Sequence, residues 1–179
     1  MSAAAPFARP RHDHEHCVAT ALAAAEQVCA TRGLKLTPLR RRVLELVWAG
    51  HGPVGAYDLL QALAEGDGRT VQPPTVYRAL EFLREAGLVH RVDALNAFIG
   101  CDRAGVPHSG QVLVCRGCQS VVEVDDPMMA RALAERAAAL GFLPDAGPME
   151  IKGLCPACRP TQDLTRPPPP GLAHGGAKA

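Results

Sequence analysis

Apolar residues fall at helical spacing through the first half of the chain and at strand spacing through much of the second. From about Val18 to Arg32, the residues Val18, Leu22, Ala25 and Cys29 share one helical face, and Gly33 supplies a stop. A second helix is signalled by Thr37 as N-cap and Pro38 at the first helical position, with Leu39, Val43, Leu46 and Val47 at core spacing before Gly50. A third runs from about Ala56 to Ala64 around Tyr57, Leu59, Leu60 and Leu63. The fourth begins at Pro73 and Pro74 and turns Val76, Leu80 and Leu83 inward as far as Gly87, which leaves Thr75, Arg78 and Glu81 on its polar face.

Beyond Gly87 the period changes. Segments 88–92 and 97–101 flank Leu95 and Asn96, the layout of a short hairpin. Short helices followed by such a hairpin are the order of a winged helix-turn-helix, expected over residues 17–95. The remainder reads strand (111–115), knuckle, strand (120–124), helix (128–140) and strand (149–154), a small α/β unit over residues 96–160. The expected fold class is therefore α+β. No long Pro or Gly linker separates the units, so a tight hinge is expected near Asp93 to Gly100. Residues 1–16, with Pro6, Pro10 and alternating His12, His14 and His16, lack a sustained apolar period, as do residues 161–179 with their run Pro167 to Pro170. Both ends are expected to be disordered.

Composition narrows the class. A chain of 179 residues with 47% hydrophobic content supports one ordinary core or two small ones. No stretch approaches the roughly 20 apolar residues of a membrane span. The alanine-rich stretch from Cys17 to Ala30 contains Glu26 and lacks the layout of a secretion signal, which points to the cytoplasm. The net charge of +1 argues neither for nor against nucleic acid, so any such contact has to come from local clusters.

The seven cysteines are odd in number, and four form the pairs Cys115/Cys118 and Cys155/Cys158 at Cys-x-x-Cys spacing. In a reducing compartment this points to metal rather than disulfides. Zinc takes four thiolates tetrahedrally, and a Cys-x-x-Cys turn lets two sulfurs reach one ion, with Gly117 easing the first turn. The alternative is a thiol redox motif or two unrelated buried pairs. A zinc deaminase fails on order, because its signature needs proline before the first cysteine and a His-x-Glu motif, whereas Pro156 lies inside the second pair. A closed four-thiolate site leaves no position for a reacting water, and no nucleophile is paired to a base, so neither an enzyme nor a small-molecule substrate is expected.

The run Leu36, Thr37, Pro38, the segment Ala56, Tyr57, Asp58, Leu59, Leu60, the run from Pro73 to Leu80 and the paired Cys-x-x-Cys motifs together resemble the ferric uptake regulator family, most closely its zinc uptake regulator branch. The resemblance runs in order from about Leu22 to Cys158 and covers neither terminus. It implies a homodimeric repressor with an N-terminal winged-helix domain and a C-terminal dimerisation domain stapled by zinc, bound to a pseudo-palindromic operator. It also places a regulatory zinc on His90, Cys101, His108 and Glu123. Two imidazoles, a thiolate and a carboxylate form an acceptable tetrahedral zinc set, and the sulfur argues against an oxygen-rich manganese site. Two zinc ions per protomer are thus implied. The iron-sensing branch resembles a different pattern, with a dense histidine run before the first knuckle where this chain has only His108. An iron, manganese or peroxide sensor remains the alternative within the family, and a zinc-stapled protein-interaction module the alternative outside it.

For base reading the expectation falls on Thr75, Tyr77 and Arg78 near the start of the fourth helix, arginine matching the two acceptors of guanine. Tyr57 is expected to touch backbone or a thymine methyl. Arg32, Lys35, Arg40, Arg41 and Arg42 are candidate phosphate contacts, or else a solvated basic face. The His12, His14, His16 alternation with Cys17 could capture metal but offers no fixed geometry. Cys29 is expected in the core, and His51 and His174 in solvent.

Overall fold

The computed structural model describes residues 14–50, 52–67, 71–106, 108, 110–144 and 147–159. Its first half packs α1 (His14–Thr31), α2 (Pro38–Trp48), α3 (Ala56–Asp67) and α4 (Pro73–Glu85) against a small antiparallel sheet of β1 (Val54–Gly55), β2 (Val89–Val92) and β3 (Ala97–Gly100), in the order β1-β3-β2. Most of the expected helical positions form the core: Leu22, Ala25 and Cys29 meet Val43 and Val47, Leu59 and Leu63, and Val76, Leu80 and Leu83; Leu44, outside the expected face, joins them, whereas Val18, Leu39, Leu46 and Leu60 are only partly buried against the cluster. Burying each large aliphatic side chain contributes about 1.5–3 kcal/mol, so this interdigitated set dominates the stability of the first half. Thr37 caps α2, its side chain accepting from the Arg40 N–H, and Pro38 opens the helix. Gly87 closes α4 at φ +72°, a backbone conformation in which glycine avoids the Cβ clash.

The second half consists of β4 (Gly110–Cys115), β5 (Val121–Asp125), α5 (Pro127–Ala139) and β6 (Met149–Gly153), in sheet order β5-β4-β6. β4 runs antiparallel to β5 and parallel to β6. The hairpin of the first half lies on this sheet through a second cluster, in which Val92, Val112 and Val114 are buried with Ala94, Leu95, Ile99 and Val121 against them. The α+β class and the winged-helix order are therefore observed.

Several boundaries differ from the sequence expectation. α1 starts at His14, so His14 and His16 belong to a helix rather than to a disordered tail; Glu15 in its first turn complements the helix dipole. His12 and the rest of residues 1–13, residues 160–179 and His51 lie outside the described residues. α3 continues to Asp67 through an exposed turn without apolar periodicity, supported by Gln61 donating to Glu65 one turn on. α5 begins at Pro127 because Asp126 caps it, accepting from the Met128 and Met129 amides. β1, two residues long and paired to Phe98 and Ala97, is too short to leave a periodic signal. Among the described residues, no helix is long and apolar enough to cross a membrane.

Candidate metal centres

The first centre follows from the parallel pairing of β4 with β6. Their register sets Cys115 opposite Gly153, and Arg116 donates its amide to the Gly153 carbonyl at 2.8 Å. The two chain segments leave the sheet side by side, and each then folds into a Cys-x-x-Cys turn. The sulfurs of Cys115, Cys118, Cys155 and Cys158 all lie within 4.8 Å of one another, with no disulfide among them. The Cys155 amide donates to Cys115 Sγ at 3.2 Å, and the Cys118 sulfur lies 3.7 Å from that of Cys155. A Cβ on Gly117 would fall 2.8 Å from the Cys158 Cβ and 2.9 Å from its sulfur, so only glycine lets the two turns close on each other.

Charge in this cluster is set by hydrogen bonds. Amide donation, first from Cys155, brings the Cys115 thiol down to about 6, and the Ser120 hydroxyl pulls Cys118 down as well. Cys158 goes the other way, to about 12, because Cys118 and Cys155 crowd it. Four sulfurs this close cannot all ionise without a cation, and amide donation to thiolate is the support that a four-thiolate zinc site needs. The donor set fits zinc and is closed.

The second centre is built by the hairpin and by β5. His90 pairs with Ile99, and the Cys101 amide bonds the Leu88 carbonyl at 3.1 Å, so alternation puts His90 and Cys101 on one face as diagonal neighbours. The loop after Cys101 returns His108 to them, braced by an ion pair between Arg103 and Asp125. His108 Nε2 lies 3.2 Å from His90 Nε2, 3.5 Å from Cys101 Sγ and 2.9 Å from Glu123 Oε1. Its Nδ1 sits 2.8 Å from the Val106 carbonyl, which fixes the tautomer with the Nε2 lone pair facing the cluster.

Glu123 Oε1 supplies the test of fit. It is buried, and although both imidazoles stand within ion-pair distance, neither gives it a hydrogen bond of proper geometry. A buried carboxylate oxygen without a donor is costly, and a cation among the four donors removes that cost. The same field acts on His90: the Cys101 side chain first, then Glu123, hold its proton up to about 10. Burial raises the Glu123 carboxyl, but His90 and His108 outweigh it and leave it below the usual value. The site favours positive charge, and a His, Cys, His, Glu set suits zinc.

The exposed face of α4 carries Thr75, Tyr77 and Arg78, and Tyr57 stands out at the start of α3 with 78% of its surface exposed. The basic cluster is more occupied than its sequence suggested. Arg41 pairs with Glu26 and Glu45, and Arg42 pairs with Glu45. Arg40 donates to the Lys35 carbonyl and stacks 3.6 Å above the Phe82 ring, while Arg32 donates to the Ala86 carbonyl at the end of α4.

A winged-helix unit joined to a small α/β unit, with a four-cysteine cluster in the second and a mixed His, Cys and Glu cluster between the two, defines a class of proteins with two candidate metal centres. The family model for the ferric uptake regulator family matches residues 31–151, and the chain belongs to that family. It is 40% identical over 138 residues to the zinc uptake regulation protein of Escherichia coli (strain K12), covering 76% of this chain and 80% of that protein. Among solved structures it resembles holo XcZur, with a TM-score of 0.69 and 43% identity over 78% of this chain and 96% of that one. It also resembles a zinc uptake regulator complexed with zinc and DNA, with a TM-score of 0.71 and 36% identity over 83% of this chain and 96% of that one. The family consists of transcription regulators, not enzymes.

Proposed function

We propose that this chain is a zinc-responsive, sequence-specific transcriptional repressor of zinc homeostasis genes, acting in the cytoplasm as a homodimer on a pseudo-palindromic DNA operator. The observation that carries the reading is the convergence of His90, from the wing hairpin, with Cys101, His108 and Glu123, from the hinge and the second sheet. In this reading the DNA-binding domain runs from α1 through β3, ending at Gly100 rather than at residue 95 because β3 pairs with β1 and β2, and the dimerisation domain takes the described residues beyond it. The four-cysteine centre holds one structural zinc, and the mixed set holds a second, regulatory one. Bound there, zinc would supply a single positive centre shared by donors of both domains. His90 is then held in one position relative to Glu123, and the orientation of the winged helix relative to the second sheet is selected from the many that a free hinge would sample.

The remaining surface agrees with these roles. Tyr57, Thr75, Tyr77 and Arg78 project from the winged helix, the last three from the helix suited to the major groove. Met128, Leu133, Leu140, Phe142 and Leu143 are exposed on and after α5, a concentration of apolar surface that a second copy would cover. The relatives named for zinc uptake regulation, and the solved complex with zinc and DNA, support the same assignment.

Operator binding measured across a zinc buffer series, with metal counted per chain, tests the reading. Two zinc ions per protomer and zinc-dependent affinity are expected. His90→Ala or Cys101→Ser should retain the dimer and one zinc but lose the zinc dependence; unchanged operator binding would overturn the proposal, and restoration by iron or manganese instead would move the chain to another sensor of the family.

A further inference from the structure

The row of the second sheet that carries Glu123 carries another carboxylate. Val112 on β4 pairs with Glu123 on one side and with Glu150 on the other, so all three side chains share the sheet face that meets the wing hairpin. Val112 is fully buried against Val92 in the cluster between the halves. Glu123 reaches His90 at one end of β2. Glu150 reaches beyond the other end: its carboxylate accepts the backbone amides of Asp93 and Ala94, the latter at 2.9 Å. These amides open the short 3-10 helix Asp93–Leu95, whose preceding residue Val92 offers no side-chain cap. One residue, Glu150, lying 57 and 56 positions from Asp93 and Ala94, thus satisfies a turn that its own neighbours leave open. β2 is therefore held across one row at three points: by Glu123, by Val112 and by Glu150.

We propose that Glu150 is a positioning residue of the sensor, a metal-independent latch that holds the wing turn on the dimerisation sheet and so sets His90 in reach of the other three donors. This rests on the regulatory reading of those donors given above. Of the three attachments, that through Glu123 runs between two donors of the mixed set, whereas those through Val112 and Glu150 involve none of its donors. A charged acceptor on two amides is worth more than a neutral one, and both bonds persist when zinc leaves the mixed set. Because β6 continues from Glu150 to Gly153, two residues before Cys155, the latch also ties the wing to the strand that leads into the four-cysteine centre. By linkage, whatever favours the closed arrangement before metal binds tightens zinc there by the same factor.

The test uses the full-length dimer with its four-cysteine centre loaded. Glu150→Ala should weaken zinc binding at the mixed set about tenfold and shift zinc-dependent operator binding to correspondingly higher free zinc. Glu150→Gln, which keeps one acceptor oxygen without the charge, should fall between that variant and the parent. Amide hydrogen exchange at Asp93 and Ala94, measured with only the four-cysteine zinc present, should accelerate in Glu150→Ala. Dimer and four-cysteine zinc should stay intact in both variants. Unchanged zinc affinity and unchanged exchange would overturn the latch, and so would loss of the four-cysteine zinc or of the dimer in Glu150→Gln, which would make Glu150 a general support of the second half. A parent protein whose operator binding ignores zinc would instead overturn the regulatory reading, while the exchange measurement would still decide whether Glu150 holds the turn.

Discussion

The indole of Trp48 lies against the backbone of Gly100: a Cβ built there would sit 2.2 Å from Cε2 and 2.3 Å from Nε1. Trp48 ends α2 and Gly100 ends β3, one residue before the donor Cys101. The helix that packs on α4 therefore touches the strand that leads into Cys101, a candidate donor of the mixed set. Trp48 is also the only tryptophan of the chain, so its fluorescence reports this junction without interference. Zinc added to protein already loaded at the four cysteines should change the emission, and His90→Ala should abolish that change. Gly100→Ala should push the indole out of its seat, cost about 1–3 kcal/mol of stability as overpacking does, and blunt the zinc response. A parent-like emission titration in Gly100→Ala would contradict the coupling.

How much of this was legible beforehand depended on whether a residue's role was local. Thr37–Pro38 marked a helix start because capping acts within one turn, and the core positions of α1, α2 and α4 repeat often enough to be read by period alone. The four cysteines were visible as spaced pairs. The mixed set was not: His90, Cys101, His108 and Glu123 share no local period, and only the family resemblance picked them out before hairpin register and the returning loop brought them together. Glu150 was missed altogether, since its partners are backbone amides 56 and 57 residues distant and a strand glutamate carries no mark of them. Asp126 was a different omission. Asp before Pro is a readable helix start, and it should have moved α5 one residue earlier.

The basic residues divide into those engaged within the chain and those turned outward, and this predicts their order in DNA binding. Arg78 is exposed beside Tyr77 on α4, whereas Arg41 is held by Glu26 and Glu45. If Arg78 reads a base, Arg78→Ala should cost about 1–3 kcal/mol of specific affinity and relax preference at one operator position. Arg41→Ala should change affinity little unless its acidic partners release it on binding. A salt series separates the two, because losing a phosphate contact lowers the salt slope by about one unit whereas losing a base contact does not. Equal, sequence-independent losses for both variants would place Arg78 on the backbone instead.

The four-cysteine centre should behave as a staple rather than as a sensor. Cys115 is buried, its sulfur accepts the Cys155 amide, and the register of β4 and β6 meets at this point. Cys115→Ser should release the zinc, loosen β6 and lower the melting temperature of the second half. The core of the first half, from Leu22 to Leu83, contains none of the four cysteines and should retain its helical signal. Removal of zinc by a strong chelator should mimic the substitution. A variant that keeps its dimer and its thermal midpoint would show that the sheet stands without the metal.

Proton competition gives the mixed set a pH dependence whose sign follows from His90. Its imidazole is raised from 6.5 to about 10, first by Cys101 and then by Glu123, so without metal the folded site carries a proton on His90 throughout the neutral range. A raised folded value contributes stability that is fully present below the unfolded value near 6.5 and is lost as pH climbs through about 10. The proton thus holds the metal-free cluster together, and zinc has to displace it because only neutral imidazole ligates. Zinc affinity at this set should rise with pH between about 7 and 9, with up to tenfold per unit coming from the proton that His90 releases. Competition against a chelator, corrected for the chelator's own protonation, measures the slope, and His90→Ala should remove the His90 component. An affinity flat from pH 7 to 9 would mean that His90 is already neutral in the folded protein.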